Sequence, residues 1–168
     1  MHKHINKLYC LADKAERLII GLMSGTSLDG LDVALCRVSG HGTDTEVEIL
    51  EFETIPYTED YRNKVRSVFS TRDVDLQDVC MLNPWIGLEH GRIVNACLDH
   101  WDYAADDIDL VASHGQTIYH APKHLHRHAD YPNSTLQIGD GDHLAHSVGI
   151  ITCSDFRQKH LAAGGEGA

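Results

Sequence analysis

A glycine- and hydroxyl-rich segment between two apolar stretches is the first feature that suggests chemistry. It consists of Ser24, Gly25, Thr26, Ser27, Leu28, Asp29, Gly30 and Leu31. Glycines let backbone N–H groups approach a phosphate without interference from Cβ atoms, and Ser24, Thr26 and Ser27 can add hydroxyl donors. The segment matches neither a Walker A loop nor the dinucleotide-binding G-x-G-x-x-G pattern. Two interpretations stay open, a phosphate-binding turn and an ordinary Gly/Ser/Asp hairpin turn.

Carboxylates in and after this segment suggest a place for magnesium. The ion takes few carboxylates in proteins and keeps several of its water molecules. Asp29 or Asp32 is placed to orient such a water, and either side chain could equally cap the turn. The residues alone leave that choice open.

Two further groups of polar residues directly follow predicted strands, where binding groups collect in α/β sheets. His114 can exchange a proton, and Gln116 can hold a sugar hydroxyl or an amide. Both side chains could instead bond to neighbouring loop backbone. Near the end of the chain, the planar guanidinium of Arg157 suits a carboxylate or a phosphate, unless it forms an ion pair with Asp155.

A histidine-rich stretch raises the question of a metal site. Alternate residues of a strand share one face, so His124, His126 and His128 could converge on zinc. Pro122 and Pro132 bracket the stretch, and cationic residues lie among the histidines, which favours an exposed loop. We therefore predict no metal site.

The composition favours an acidic globular domain that does not bind nucleic acid. The chain has 168 residues, with 14 Lys or Arg and 25 Asp or Glu, and a formal net charge of −11 with His neutral. Nucleic-acid binding needs a basic surface that displaces counterions from phosphates. Apolar residues make up 42 % of the chain, which is enough for a packed core.

Cysteine usage and apolar runs favour a cytoplasmic location. The 5 cysteines are odd in number and form no C-x-x-C pair, so we predict reduced thiols, mostly in the core. Apolar runs are short, residues 18–23 being typical, so neither a signal peptide nor a membrane span is predicted. We expect no membrane partner.

Hydrophobic periodicity predicts a lead helix within residues 1–17 and then an α/β pattern. Strands are predicted over 18–23, 31–38, 45–55, 107–113, 117–120, 134–138 and 149–153. Helical regions are predicted from Tyr57 onward, over 76–101 with a kink or break at Asn83–Pro84, and over 142–148. The first three strands can pair antiparallel while later ones need crossovers, which predicts a mixed sheet flanked by helices.

Taken together, four motifs in this order resemble the family of 1,6-anhydro-N-acetylmuramic acid kinases. G-L-M-S-G-T-S-x-D-G spans residues 21–30, S-H-G-Q-T spans 113–117 and Q-I-G-D spans 137–140. D-F-R followed by A-x-G-G-x-G-A lies within 155–168. The resemblance begins around Leu18 and covers nearly all of the chain that follows.

The resemblance implies a fold and a reaction. The fold is the first, ribonuclease-H-like half of an actin/hexokinase-like ATPase, over residues 18–168. The reaction uses ATP and Mg²⁺ to convert 1,6-anhydro-N-acetylmuramic acid into N-acetylmuramic acid 6-phosphate, with hydrolytic opening of the anhydro ring, in peptidoglycan recycling. Residues 24–31 would bind ATP, and His114, Gln116, Asp155 and Arg157 would lie on the sugar side of the cleft.

Departures from the family pattern lead to a second hypothesis. The family's general-base aspartate lies in a later F-D-x-G-P-x-N motif, beyond residue 168, and His160 stands where many members have Asp. We therefore expect this chain alone to be inactive, as a truncated domain without its second half. The alternative is a non-catalytic nucleotide- or sugar-binding half-domain that acts as an interaction module, with a homo-oligomer as one expected form.

Overall fold

Three antiparallel strands open the fold after a short helix. The computed structural model describes residues 3–167. Helix α1 (Lys3–Asp13) leads into β1 (Glu16–Ser24), β2 (Gly30–Ser39) and β3 (Glu46–Pro56). β1 starts two residues before the predicted Leu18, because β2 extends to Ser39 and pairs with these two residues as well.

The rest of the chain alternates helices and strands. The elements are α2 (Glu59–Arg66), α3 (Leu76–Trp101), β4 (Leu110–Ala121), α4 (Lys123–His126), β5 (Ser134–Ile138), α5 (Gly141–Val148), β6 (Thr152–Ser154) and α6 (Arg157–Ala162). The Thr58 and Asp75 side chains accept backbone N–H groups at the starts of α2 and α3, which satisfies donors that a helix leaves free. No helix within residues 3–167 is both long and apolar enough to cross a membrane.

The strands form one mixed sheet in the order β3-β2-β1-β4-β5, and β6 also pairs with β4. β4 runs parallel to β1 and to β6, and antiparallel to β5. Parallel neighbours need a crossover, and the segment that contains α2 and α3 supplies it between β3 and β4. The predicted α/β class, a mixed sheet with flanking helices, is confirmed.

The core lies between one face of this sheet and α3. Ile20, Leu31 and Val33 on the strands and Ile86 and Val94 on the helix have no exposed surface. Burial of each such side chain contributes about 1.5–3 kcal/mol relative to an exposed one. The buried stripe of α3 also carries His90, so a histidine is fixed inside the core rather than on the surface.

Two predictions that involve residues which usually interrupt structure need correction. A kink or a break was predicted at Asn83–Pro84, and the break does not occur, because α3 continues from Leu76 to Trp101 through Pro84. A proline removes a single helical hydrogen bond, and burial on both sides of Pro84 offsets that loss. The strands predicted over 107–113 and 117–120 are one strand, because Gly115 adopts a positive φ of 72° and carries β4 onward to a new partner.

The last predicted strand and the cysteines also differ from expectation. β6 covers only Thr152–Ser154, because β4 offers it three partner residues. All 5 cysteines are free, but the prediction that most lie in the core is wrong. Cys97 is buried and Cys36 is half-buried, whereas the other three are exposed: Cys10, Cys80 and Cys153.

Candidate functional site

The turn between β1 and β2 presents backbone and hydroxyl groups to solvent. Thr26, Ser27 and Asp29 are exposed, while the side chain of Leu28 is buried in the core. Leu28 has φ 59°, a left-handed conformation that costs a non-glycine residue about 1–2 kcal/mol. The buried side chain holds this conformation, and the backbone N–H of Tyr57 donates to the carbonyl of Asp29 at 3.1 Å. The turn therefore has one fixed shape.

Two glycines of the turn have different roles. A Cβ on Gly30 would collide with the carbonyl group of Ile55, because β3 passes directly beside it. A Cβ on Gly25 would meet only the Ser27 hydroxyl oxygen, at 3.8 Å. Gly30 is thus required by packing, whereas the missing side chain of Gly25 leaves the backbone open to a ligand.

A buried amide and a buried hydroxyl support the turn from beneath. Gln116 Nε2 donates to the carbonyls of Gly25 and Thr117, each at 3.1 Å, which directs Oε1 towards Ser24. Ser24 Oγ donates to that oxygen at 2.5 Å. Ser24 and Gln116 have no exposed surface. The hydroxyl of Ser24, expected as a free donor, and the amide of Gln116, expected to hold a sugar, are therefore committed within the protein.

Two tyrosines and a histidine continue this network. Since Ser24 donates its only proton to Gln116, the Tyr57 hydroxyl must donate to Ser24, at 2.7 Å. His90 Nε2 lies 3.1 Å from the Tyr57 oxygen and 3.2 Å from that of Tyr61. Because Tyr57 gives its hydrogen to Ser24, His90 Nε2 must carry the hydrogen of its bond to Tyr57. Burial lowers the pKa of His90 to about 4, with a smaller contribution from His114. The imidazole is therefore neutral at pH 7.

A second polar region lies where β4 changes partners. β6 pairs with β4 as far as Ser113, and β5 pairs with it from Gln116 onward. His114 and Gly115 lie between these two pairings, at a switch point of the kind where α/β sheets bind ligands. A cavity of about 420 Å³ opens there and reaches the start of α3, the turn after β5 and Asp155.

Three residues that line this cavity each have a buried side-chain atom without a hydrogen-bond partner within residues 3–167. They are Ser113 Oγ, His114 Nε2 and Gln137 Oε1. The sequence motifs included Ser113 and Gln137, but only His114 was singled out as a site residue. Burial lowers the pKa of His114, the backbone carbonyl of Gly115 opposes this, and Arg157 adds to the lowering. His114 is thus neutral at pH 7.

Asp155 and Arg157 take different positions near this cavity, and they are not paired with each other. Asp155 lines the cavity, is exposed and has φ 56°. Arg157 Nη1 donates to the carbonyl of Gly167 at 2.6 Å, which ties α6 to the last described residue. In the histidine-rich stretch, His124 instead lies 3.2 Å from Glu166. The described part of the chain contains no group of three or more His, Cys, Asp or Glu residues that could hold a metal.

A comparison with known protein families covers both the turn and the cavity. A family model described as anhydro-N-acetylmuramic acid kinase matches residues 17–168. The chain belongs to the anhydro-N-acetylmuramic acid kinase family. Both the turn and the cavity lie inside the matched range.

Curated relatives carry the same family name. The anhydro-N-acetylmuramic acid kinase of Pseudoalteromonas atlantica is 62 % identical over 168 residues, and that of Pseudoalteromonas translucida is 56 % identical over the same length. The kinase of Caldanaerobacter subterraneus is 42 % identical over 164 residues. These matches cover 98–100 % of this chain but only 41–42 % of each relative. The chain thus spans less than half the length of these members of the anhydro-N-acetylmuramic acid kinase family.

Proposed function

We propose that this chain is the amino-terminal part of an ATP-dependent sugar kinase. Its reaction would convert 1,6-anhydro-N-acetylmuramic acid into N-acetylmuramic acid 6-phosphate in cytoplasmic peptidoglycan recycling. Residues 18–168 would be the first, ribonuclease-H-like half of an actin/hexokinase-like ATPase. The observation that carries the proposal is the rigid, exposed turn at the end of β1, next to an unsatisfied polar cavity on β4.

The turn is the proposed site for the ATP phosphates. Its exposed backbone at Gly25 and the hydroxyls of Thr26 and Ser27 offer donors to phosphate oxygens. Buried Leu28 and the network under Ser24 hold these donors in place before a ligand arrives. Donors fixed in advance stabilise developing charge without first having to reorganise.

The residues at the turn also fit magnesium. Asp29 is exposed beside the proposed phosphate site, whereas Asp32 accepts a hydrogen bond from Thr54 at 2.6 Å. Magnesium commonly combines one carboxylate with waters and substrate phosphates. Asp29 would therefore hold the ion, which when bound would neutralise charge on the phosphates.

The cavity beside β4 is the proposed sugar site. His114 and Asp155 line it, and Gln116 connects it to the phosphate turn through Ser24 and Gly25. Gln116 thus acts by positioning the turn, and Arg157 by fixing the segment that ends at Gly167. This arrangement would place the phosphates at the end of β1 and the sugar beside the neighbouring strand β4.

The proposed chemistry breaks one sugar bond and transfers one phosphoryl group. Water attacks C1 and gives its proton to a base, the C1–O6 bond breaks, and O6 attacks the γ-phosphorus as the bond to ADP breaks. The family resemblance places that base in an aspartate motif outside residues 1–168. The present residues would bind and orient the substrates, and closure of the second half would exclude bulk water.

A joined kinase tests this function. Residues 1–168 would be fused to the remaining part of the 62 % identical Pseudoalteromonas atlantica relative and assayed for ATP-dependent phosphorylation of the anhydro sugar. We expect activity in the fused protein and none in the 168-residue chain. An inactive but folded fusion, beside an active intact relative, would refute the assignment.

The Gly25→Ala variant of the fusion tests the phosphate turn directly. A Cβ fits there without disturbing the fold, so stability should stay unchanged. It would, however, hold a phosphate away from the backbone, and the KM for ATP should rise about tenfold through weakened charge-assisted hydrogen bonds. Unchanged ATP kinetics would place the phosphates elsewhere.

One observation favours a second candidate, a binding half-domain that pairs with another copy. Val47, Ile49 and Phe52 on β3 are 61 %, 63 % and 56 % exposed, and they lie on the sheet face opposite the core. Such an apolar face favours association. Sedimentation of the 168-residue chain tests it, since a monodisperse monomer would exclude this candidate.

A further inference from the structure

Helix α1 exposes the apolar stripe that a helix normally buries. Ile5, Leu8 and Tyr9 are 58 %, 50 % and 71 % exposed, and Ala12 is exposed as well. Their spacing of three, four and seven residues from Ile5 places all of them on one side of the helix. The family model begins at residue 17, so α1 lies outside the matched range. The helix thus presents an unburied surface that membership of the family does not explain.

Contacts with the same chain hold α1 with this stripe facing solvent. Arg17 Nε and Nη2 donate to the carbonyls of Leu11 and Ala12 at 2.9 and 3.1 Å, which fixes the last turn of the helix. Lys7, on the side opposite the stripe, is half-buried and lines a cavity together with His146. The helix is therefore attached by its end and by its polar side. Its apolar stripe is left for a second molecule.

The side of the sheet away from α3, called the outer face below, is a second uncovered apolar surface. Val47, Ile49 and Phe52 are exposed on β3, and the row of Ile49 continues through β2 to half-buried Ile19 on β1. A Cβ on Gly21, in the middle of β1, would meet nothing within 4 Å, so no element of the described chain covers the centre of this face. Sheets that contain parallel strands are usually covered on both faces.

The two surfaces are bordered by opposite charges. Residues 1–17 contain four Lys or Arg and two Asp or Glu. Strand β3 has no Lys or Arg and four glutamates, of which Glu46, Glu48 and Glu51 are exposed. Complementary charges steer two surfaces into contact. The net charge of −11 for the whole chain also disfavours an anionic lipid surface as the partner of α1, which leaves the outer face of another copy as the better match.

We propose that two copies of this chain associate through α1, with the apolar stripe of each helix packed on the outer face of the other copy. A two-fold axis makes this contact twice, because each copy supplies one helix and one face. The inference goes beyond the proposed function and does not depend on it. It also differs from simple pairing of two sheet faces, since it requires both surfaces in each copy.

Sedimentation equilibrium of the 168-residue chain and of two variants tests this dimer. Leu8→Glu alters the stripe and Ile49→Glu alters the outer face, and both positions are exposed in the single chain, so both variants should fold. Each should raise the Kd of the dimer about a hundredfold, because one substitution removes an apolar side chain from both copies of the contact. Tyr9→Glu and Phe52→Glu repeat the two changes at neighbouring exposed positions.

Leu88→Glu is the matched control, since Leu88 is 46 % exposed on α3 and belongs to neither surface. Its dimer should have the same Kd as that of the unchanged chain. A monomeric unchanged chain would overturn the proposal, and so would equal weakening of the dimer by Leu88→Glu.

Mixing the two variants gives the most specific result. Leu8→Glu keeps an intact outer face and Ile49→Glu keeps an intact helix, so one of the two contacts can form between them. The mixture should therefore associate at least about tenfold more tightly than either variant alone, and more weakly than the unchanged chain. Circular dichroism of each variant confirms that it is folded before mixing.

Other arrangements predict different results, and each would overturn the proposal. Pairing through sheet faces alone would leave Leu8→Glu dimeric, and pairing through helices alone would leave Ile49→Glu dimeric. Packing of α1 on the outer face of its own chain would give no recovery on mixing. Binding of a monomeric chain to phosphatidylglycerol vesicles, lost in Leu8→Glu, would assign the stripe to a membrane surface. None of these outcomes depends on whether the fused protein phosphorylates the sugar.

Discussion

The β1–β2 turn and the cavity at His114 lie along the same strand pair, but their buried polar groups are treated in opposite ways. Beneath the turn, Ser24 bonds to both Gln116 and Tyr57, and only the far nitrogen of His90, Nδ1, lacks a partner in the described structure. At the cavity, Ser113 and His114 each keep a buried atom without a partner in the described structure. A satisfied network rigidifies its surroundings, whereas unsatisfied groups lower stability until a ligand pairs with them.

This difference separates two ways of building a site. The turn needs a fixed backbone because its proposed ligand, a phosphate, is bound mainly by N–H groups whose directions the fold sets. The cavity is lined in part by polar side chains instead, and the bonds that these side chains already make set which of their atoms can donate or accept. Changes beneath the turn should therefore alter stability first, and changes at the cavity should alter binding first.

Gly30→Ala should break the turn most severely. The new Cβ would lie 2.9 Å from the carbonyl carbon of Ile55 and closer still to its oxygen, and this backbone cannot move without separating β2 from β3. We expect a loss of about 3 kcal/mol or more in the free energy of unfolding, measured by urea denaturation. Gly25→Ala is the matched control, with an expected change below about 0.5 kcal/mol. Equal losses in both variants would contradict the assigned roles.

Acid should weaken the network through His90. The folded pKa of about 4 lies below the ordinary value of 6.5, so between these pH values the unfolded chain binds a proton that the folded chain does not. Stability is therefore complete above pH 6.5 and falls by about 3 kcal/mol as the pH drops to 4. Urea denaturation of His90→Gln over the same range isolates this contribution, since the other histidines remain. A pH dependence equal to that of the unchanged chain would show that His90 is not the group responsible.

Tyr57→Phe should have a smaller effect on the same network. The variant keeps the ring stacked on Tyr61, at a centroid distance of 3.7 Å, but removes the hydroxyl between Ser24 and His90. We expect a loss of about 1–2 kcal/mol in thermal or urea unfolding. In the fused kinase the KM for ATP should rise while that for the sugar stays constant, because only the support of the turn changes. A rise in the KM for the sugar alone would mean that Tyr57 supports the sugar cavity and not the phosphate turn.

The sequence predicted the regions that local residues determine. The bounds of β1, β2 and β3 were correct to within two residues, since glycines and Pro56 mark their ends. The break considered at Pro84 does not occur and Gly115 does not separate two strands, because tertiary contacts override the local tendency of each residue to interrupt structure. Local sequence signals thus predicted the first three strands correctly but did not predict every boundary of the later elements.

The chemistry of the two regions was less predictable. Ser24 was recognised as part of a turn, but its partners Tyr57 and Gln116 lie 33 and 92 residues away, and no spacing rule connects them. His114 was predicted as a site residue from its place after a strand. Ser113 and Gln137 were not, because an unsatisfied atom is defined by what fails to surround it in three dimensions.

Ser113→Ala gives the smallest expected change in stability and the sharpest contrast with Tyr57→Phe. It removes a buried hydroxyl that has no partner within the described chain, so the folded state loses no hydrogen bond and sheds an uncompensated polar group. The free energy of unfolding should stay within about 0.5 kcal/mol or rise slightly, by urea denaturation without ligand. A clear loss of stability without ligand would mean that Ser113 supports the fold, and the cavity would then resemble the turn.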